Sequence, residues 1–149
     1  MKTMTVTVAT LGFPRIGPRR ELKFALEKFW SGKSTEAELL EAAAGLRAAA
    51  WARQAALGAD WLPSNDFSFY DHVLDTSLML GAIPERYGVA AGTADLATYF
   101  AMARGTTGES AGCAHGPGHT AQEMTKRFHT NYHYMVPELA AGQKLALSS

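Results

Sequence analysis

Four cations crowd the stretch that opens the first helical pattern: Arg15, Arg19, Arg20 and Lys23. Arginine grips carboxylate or phosphate through two parallel hydrogen bonds, and a helix N-terminus attracts anions through its unpaired N–H groups. Three of the four sit where the helix macrodipole is already positive, a placement that normally costs about 0.3–1 kcal/mol per surface group. The cluster is therefore either an anion site or a solvated face that Glu21 and Glu27 partly neutralise. A second cluster is Asn-Asp-Phe-Ser-Phe-Tyr-Asp at 65–71. Asp66 and Asp71 could move protons or orient a substrate, with Phe67, Phe69 and Tyr70 stacking on a planar ligand. Equally, Asn65 and Asp66 could satisfy the backbone of a turn while the aromatic rings pack inward.

Two further groups carry less. Cys113, His115 and His119 are metal-ligating types. Gly116, Pro117 and Gly118 separate the histidines, so no helix presents them at i, i+4, and a metal would have to order the loop itself. His129, Tyr132, His133 and Tyr134 surround a predicted strand, where His133 is either an acid–base group or a hydrogen-bonded structural residue. Nothing in the spacing around Lys126 sets it apart from an ordinary surface lysine. The chain has no Walker loop, dinucleotide fingerprint, G-x-S-x-G elbow or H-E-x-x-H.

The elements that must position these residues follow from periodicity. Residues 4–13 read as a strand, Met4, Val6 and Val8 alternating with Thr3, Thr5 and Thr7, and Gly12 to Arg20 form a shaped loop with two glycines and two prolines. Leu22, Ala25, Leu26, Phe29 and Trp30 make one apolar helical stripe that Ser31-Gly32 ends. Thr35 and Glu38 have capping-box spacing, and Leu39, Leu40, Ala43, Leu46 and Ala50 continue a buried face towards a C-cap at Gly58. A short strand is predicted at 59–63, and helices at 73–80, 96–104 and 121–128. Residues 81–94 are expected to form a loop, 105–120 a glycine-rich mobile loop or lid, and 130–138 a third strand. Residues 140–149 read as a connection to something further. Strands alternating with helices imply parallel β/α construction, either a small open sheet or the leading part of a barrel that takes ~250 residues.

Composition narrows the class. The 149 residues hold 14 Lys+Arg against 14 Asp+Glu, a balance that argues against nucleic-acid binding. With 47% hydrophobic residues the chain is too apolar for disorder. It has no apolar run of membrane-spanning length and no signal-peptide core. Its single cysteine excludes an intramolecular disulfide and fits a reducing, cytoplasmic setting.

Six stretches together resemble one family. L-G-F-P-R-I-G at 11–17, R-E-L-K at 20–23, N-D-F-S-F-Y-D-H-V-L-D at 65–75, Y-F-A-M-A-R-G at 99–105, E-M-T-K at 123–126 and T-N-Y-H-Y-M-V-P-E at 130–138 are similar to the amino-terminal domain of cobalamin-independent methionine synthase, in the family's order. The resemblance implies an α/β fold, the leading part of a TIM-type (β/α)8 barrel that is incomplete in this chain. It implies methyl transfer from a polyglutamylated 5-methyltetrahydrofolate to homocysteine, giving methionine. Zinc would activate the homocysteine thiol from a second, carboxy-terminal barrel absent here. Its histidine, two cysteine and glutamate ligands lie in that barrel, so the resemblance places no metal on Cys113 or His115. Residues 1–149 would be a partial amino-terminal domain whose share is folate binding. Arg20, Glu21, Leu22 and Lys23, with Lys126, would match the folate-contacting segments, the cations offsetting the carboxylates of a triglutamate tail. Where the family usually has tryptophan, then aspartate or asparagine, this chain has Arg127 and His129. The competing expectation is a non-catalytic anion-binding module with a degenerate barrel start.

Overall fold

Helix formation in the amino-terminal half follows the local signals closely. In the computed structural model, which describes residues 6–90, 93–106 and 118–147, α1 spans Glu21–Trp30 and α2 spans Glu36–Ala56. Leu22 and Leu26 of α1 are buried, and α1 packs on α2, whose buried residues include Leu39 and Ala43. Leu40, expected on that face, is exposed, and Gln54 is buried instead. The Thr10 hydroxyl lies 2.5 Å from the Gln54 carbonyl oxygen, to which it donates, and the Gln54 amide donates to the Ala50 carbonyl. Those bonds satisfy a polar side chain that burial would otherwise penalise. The capping box forms as the spacing predicts: the Thr35 hydroxyl accepts from the Glu38 N–H, and the Glu38 carboxylate accepts from the Thr35 N–H.

The chain divides into two compact units, Met1–Phe69 and Tyr70–Ser149. In the first, the strands predicted at 4–13 and 59–63 reduce, among the described residues, to one parallel bridge between Ala9 and Trp61. The Val8 carbonyl accepts from the Asp60 N–H at 2.9 Å, and the Asp60 carboxylate accepts from the Val8 N–H at 2.8 Å. A parallel pair is stable when further strands flank it and helices cover its faces. Here Val6, Val8, Leu11 and Trp61 are exposed, Leu11 fully, so the pairing stays minimal.

In the second unit, α3 spans His72–Met79 and α4 spans Leu96–Arg104, joined by a loop containing a 3-10 turn at Glu85–Tyr87. Asp71 and Asp95 cap the two helices with their carboxylates. Residues 98–103 of α4 are all buried. The helix predicted over 121–128 is not there. Met124–Lys126 instead forms β1, antiparallel to β2 at His133–Met135, with Lys126 opposite His133. The neighbours decide this: the Gln122 N–H donates to the Met102 carbonyl and the Val136 N–H to the Glu123 carbonyl, pulling the segment into extended backbone. The predicted third strand at 130–138 is thus found as the shorter β2 of a hairpin. At the base of the predicted lid, the Thr106 N–H donates to the His119 carbonyl, and a Cβ on Gly105 would lie 2.8 Å from that oxygen. Gly105 has φ 74°, so both conformation and space call for glycine. Most of the lid lies outside the described residues.

Candidate functional site

The residues matched to the folate segments fall into two groups. Arg20, Glu21, Leu22 and Lys23 belong to the first unit and Lys126 to the second. The first group is built by the turn that enters α1. The Arg20 N–H donates to the Gly17 carbonyl and the Leu22 N–H to the Ile16 carbonyl, both at 3.1 Å. This closure holds Arg20 at φ 64°, ψ 35°, in the left-handed region, as an N-cap with no side-chain capping bond. Left-handed backbone costs an L-residue about 1–2 kcal/mol, and such strain clusters at functional sites. Nothing in the residue types announces it, because glycine or asparagine is the usual occupant.

Glu21 turns back onto the loop. Its carboxylate accepts from the Arg19 N–H at 2.9 Å and pairs with the Arg19 guanidinium at 3.1 Å. Hydrogen bonds from the backbone N–H groups of Glu21 itself and of Arg19 hold this carboxyl below the usual glutamate range. A Cβ on Gly17 would run into it, which explains a glycine at φ 83° there. Leu22 is fully buried and seats the helix. Lys23 is half exposed, 3.5 Å from Glu27 one turn on, and its ammonium stands 5.7 Å from the Phe24 ring centre. The macrodipole penalty expected for this cation-rich start is therefore offset by Glu21 in the first turn and Glu27 in the second.

Behind the same loop, α2 and the 65–67 segment enclose a cavity of about 600 Å³. Arg15, Arg47 and Arg53 line it together with Asp66, Trp51 and Phe67. The Arg15 guanidinium donates to the Ser68 carbonyl, and Arg47 lies 5.1 Å over the Phe67 ring. Asp66 accepts from the Phe13 N–H at 2.7 Å, and Phe67 meets Phe69 edge-on at 5.6 Å. Of the two readings of the 65–71 cluster, Asp66 follows the backbone-satisfying one. Sequence inspection missed Arg47 and Arg53, which read as ordinary helix-surface charges until α2 is placed against the loop.

In the second unit Lys126 is exposed near the tip of the β1–β2 hairpin. The turn is closed by the Arg127 N–H to the Tyr132 carbonyl at 2.8 Å and by Thr130, which bonds the Arg127 carbonyl through its N–H and its hydroxyl. Phe128 takes φ 52°. Arg127 and His129 thus lie in the turn beside Lys126 and outside the paired strands. His133 is exposed, its ring nitrogen 3.0 Å from the Asn131 carbonyl. Asp71 is buried, and its carboxylate accepts from the Leu74 N–H, the Met135 N–H and the Tyr132 hydroxyl. Arg86 and Glu138 form a two-pronged ion pair, whose hydrogen bonds push the Arg86 pKa up and hold the Glu138 carboxyl down. Burial pushes the Tyr87 phenol up, and its hydroxyl donates to the Thr120 carbonyl.

Cys113 and His115 lie outside the described residues, while the His119 ring leans on Tyr87. Among the described residues, no three His, Cys, Asp or Glu side chains converge on a point that could hold a metal. No helix among these residues is long and apolar enough to cross a membrane.

Residues 7–149 match the family described as "Cobalamin-independent synthase, N-terminal domain". The chain belongs to that family. It is 67% identical over 151 residues to a protein of Nitrobacter winogradskyi, an alignment covering 95% of this chain and 20% of the relative. Relatives from Caulobacter vibrioides (63% identical, 98% of this chain, 20% of the relative) and Rhodopseudomonas palustris (65%, 97% and 20%) are similar to the same extent. All three are named 5-methyltetrahydropteroyltriglutamate–homocysteine methyltransferase. The chain spans about a fifth of the length of these curated relatives.

Proposed function

We propose that this chain is the leading part of a longer cytoplasmic enzyme that transfers a methyl group from a triglutamylated 5-methyltetrahydrofolate to homocysteine, and that its own share is to hold the folate's glutamate tail. The names and reach of the relatives support the reaction. The tail-binding role is carried by one observation: α1 opens on an arginine in left-handed backbone, with Lys23 half exposed one turn on and Leu22 anchored in the core beneath them. Cations carried on backbone that is already folded meet a chain of carboxylates without the turn first having to be ordered, which favours affinity. In this reading Arg20 and Lys23 take tail carboxylates, Glu21 holds Arg19 and the loop, Leu22 fixes the register, and Lys126 supplies a further cation from the hairpin. The three arginines lining the cavity behind the loop strengthen the local positive field.

Zinc and homocysteine belong, in this proposal, to later residues of the longer protein. When bound, the metal would keep the substrate thiol deprotonated and nucleophilic. The exposed Val6, Val8, Leu11 and Trp61 would be covered by further strands and helices completing a (β/α)8 barrel.

The direct test replaces Lys23 or Lys126 with alanine in the full-length protein. The KM for the triglutamyl donor should rise roughly tenfold, the equivalent of one lost charge-assisted contact, with the KM for homocysteine unchanged. An unchanged donor KM would remove the role. A free-standing anion-binding module is the alternative, favoured by the same cation cluster. A reading frame running several hundred codons further, with the zinc ligands in it, supports the enzyme; a stop codon supports the module.

A further inference from the structure

The buried carboxylate of Asp71 has work that capping a helix does not explain. One of its oxygens accepts from the Leu74 N–H at 3.0 Å, the ordinary N-cap bond of α3. The same oxygen accepts from the Met135 N–H at 3.1 Å, and the other accepts from the Tyr132 hydroxyl at 3.2 Å. These two donors lie 64 and 61 residues along the chain, at the end and just before the start of β2. Backbone N–H bonds from the Asp71 and Tyr70 peptides to the Tyr99 hydroxyl, at 3.3 and 2.9 Å, fix the segment from the α4 side. Asp71 is only 4% exposed and Met135 1% exposed, so water cannot replace the bond between them; Tyr132, 45% exposed, forms its arm nearer the surface. Leaving either group unsatisfied carries the full desolvation penalty.

β2 pairs residue by residue with β1, and its first residue, His133, sits opposite Lys126. Tyr132 also supplies the carbonyl that closes the hairpin turn at Arg127. Both ends of the lysine-bearing hairpin's second strand are thus anchored to one carboxylate at the start of α3. We propose that Asp71 is a positioning residue: it sets the place of Lys126 through Tyr132 and Met135, and so sets the affinity for the carboxylate tail without touching it. This rests on the tail-binding reading of Lys126.

The chemistry of the carboxylate gives sharp variants. In Asp71→Asn one oxygen can keep both backbone donors, and the new amide can donate to the Tyr132 hydroxyl, so the tether is conserved. Asp71→Ser keeps the helix cap but is too short to reach Tyr132 and Met135. Tyr132→Phe removes one arm alone and leaves the cap intact. In the full-length protein, Asp71→Ser and Tyr132→Phe should raise the KM for the triglutamyl donor roughly threefold to tenfold, within the range of couplings carried by residues that do not contact a ligand. The kcat and the KM for homocysteine should hold, and Asp71→Asn should restore the donor KM. Hydrogen exchange of the peptide containing Met135 should quicken in Asp71→Ser and not in Asp71→Asn. If Lys126→Ala raises the donor KM while Asp71→Ser and Tyr132→Phe leave it unchanged, the positioning role is overturned and the tail reading stands. If Lys126→Ala has no effect, the tail reading falls and takes this role with it. A uniform fall in kcat with no change in donor KM would mark Asp71 as a purely structural residue and would also overturn the proposal.

Discussion

The two units support their candidate ligand-binding residues in opposite ways. In the first, Arg20 and Lys23 are held by bonds that span a few residues: Arg20 to Gly17, Glu21 to Arg19, Lys23 to Glu27. The side chains of the Lys23–Glu27 pair are about half exposed and the Arg19 side chain more so. In the second unit, Lys126 rides on a hairpin fixed by bonds that reach 61 and 64 residues back to a buried carboxylate. Exposed local pairs contribute little stability each and are screened by salt. A buried, fully satisfied polar cluster fixes one geometry and is costly to disturb. The first region is therefore expected to tolerate change at its charges and to depend on its apolar anchor. The second is expected to depend on its polar centre.

Leu22→Ala removes the apolar anchor of the first unit. Leu22 is 0% exposed, so its truncation leaves a cavity worth about 3 kcal/mol, read as lost hydrogen-exchange protection across α1 and α2. Arg19→Ala, in the same loop, should barely move that protection.

The ion pair of Arg86 and Glu138 sharpens the second side. The Glu138 carboxyl is depressed in the folded chain, so the pair's contribution is complete above the ordinary glutamate value of 4.5 and is lost as pH falls through the lower folded value. Both side chains are over a third accessible or close to it, which limits the effect to about 1 kcal/mol or less. Glu138→Gln should flatten the acid limb of the protection of residues near β2, measured from about pH 5 downward; an unchanged limb would show that the pair carries no stability.

Arg20→Gly is the smallest and most diagnostic change. Glycine relieves the left-handed strain but loosens the unfolded chain, a net gain of about 0.5 kcal/mol. Donor affinity should nevertheless fall, because the guanidinium is lost. Stability and donor KM moving in opposite directions would separate a functional arginine from a merely misplaced one.

This contrast also explains what was readable beforehand. α1, α2 with its capping box, and α4 over Leu96–Arg104 follow from periodicity and caps, signals contained within a few turns. The cation cluster was visible for the same reason. β1 reads as helix locally because the partners of the 122–126 segment, Met102, Val136 and β2, lie elsewhere in the sequence and override local preference. Asp71 stood out as a carboxylate among aromatics, but its three bonds depend on β2 returning to α3. Arg20's backbone had no signature, since the turn that strains it is closed by the Ile16 and Gly17 carbonyls. The family motifs compensated for part of this by pointing to Lys126 where its own neighbourhood did not.

The most direct measurement is a crystal structure of the full-length protein with the triglutamyl donor bound. Tail carboxylates are expected about 3 Å from the guanidinium of Arg20 and the ammonium groups of Lys23 and Lys126. A tail lying elsewhere, with these three cations facing solvent, would contradict it.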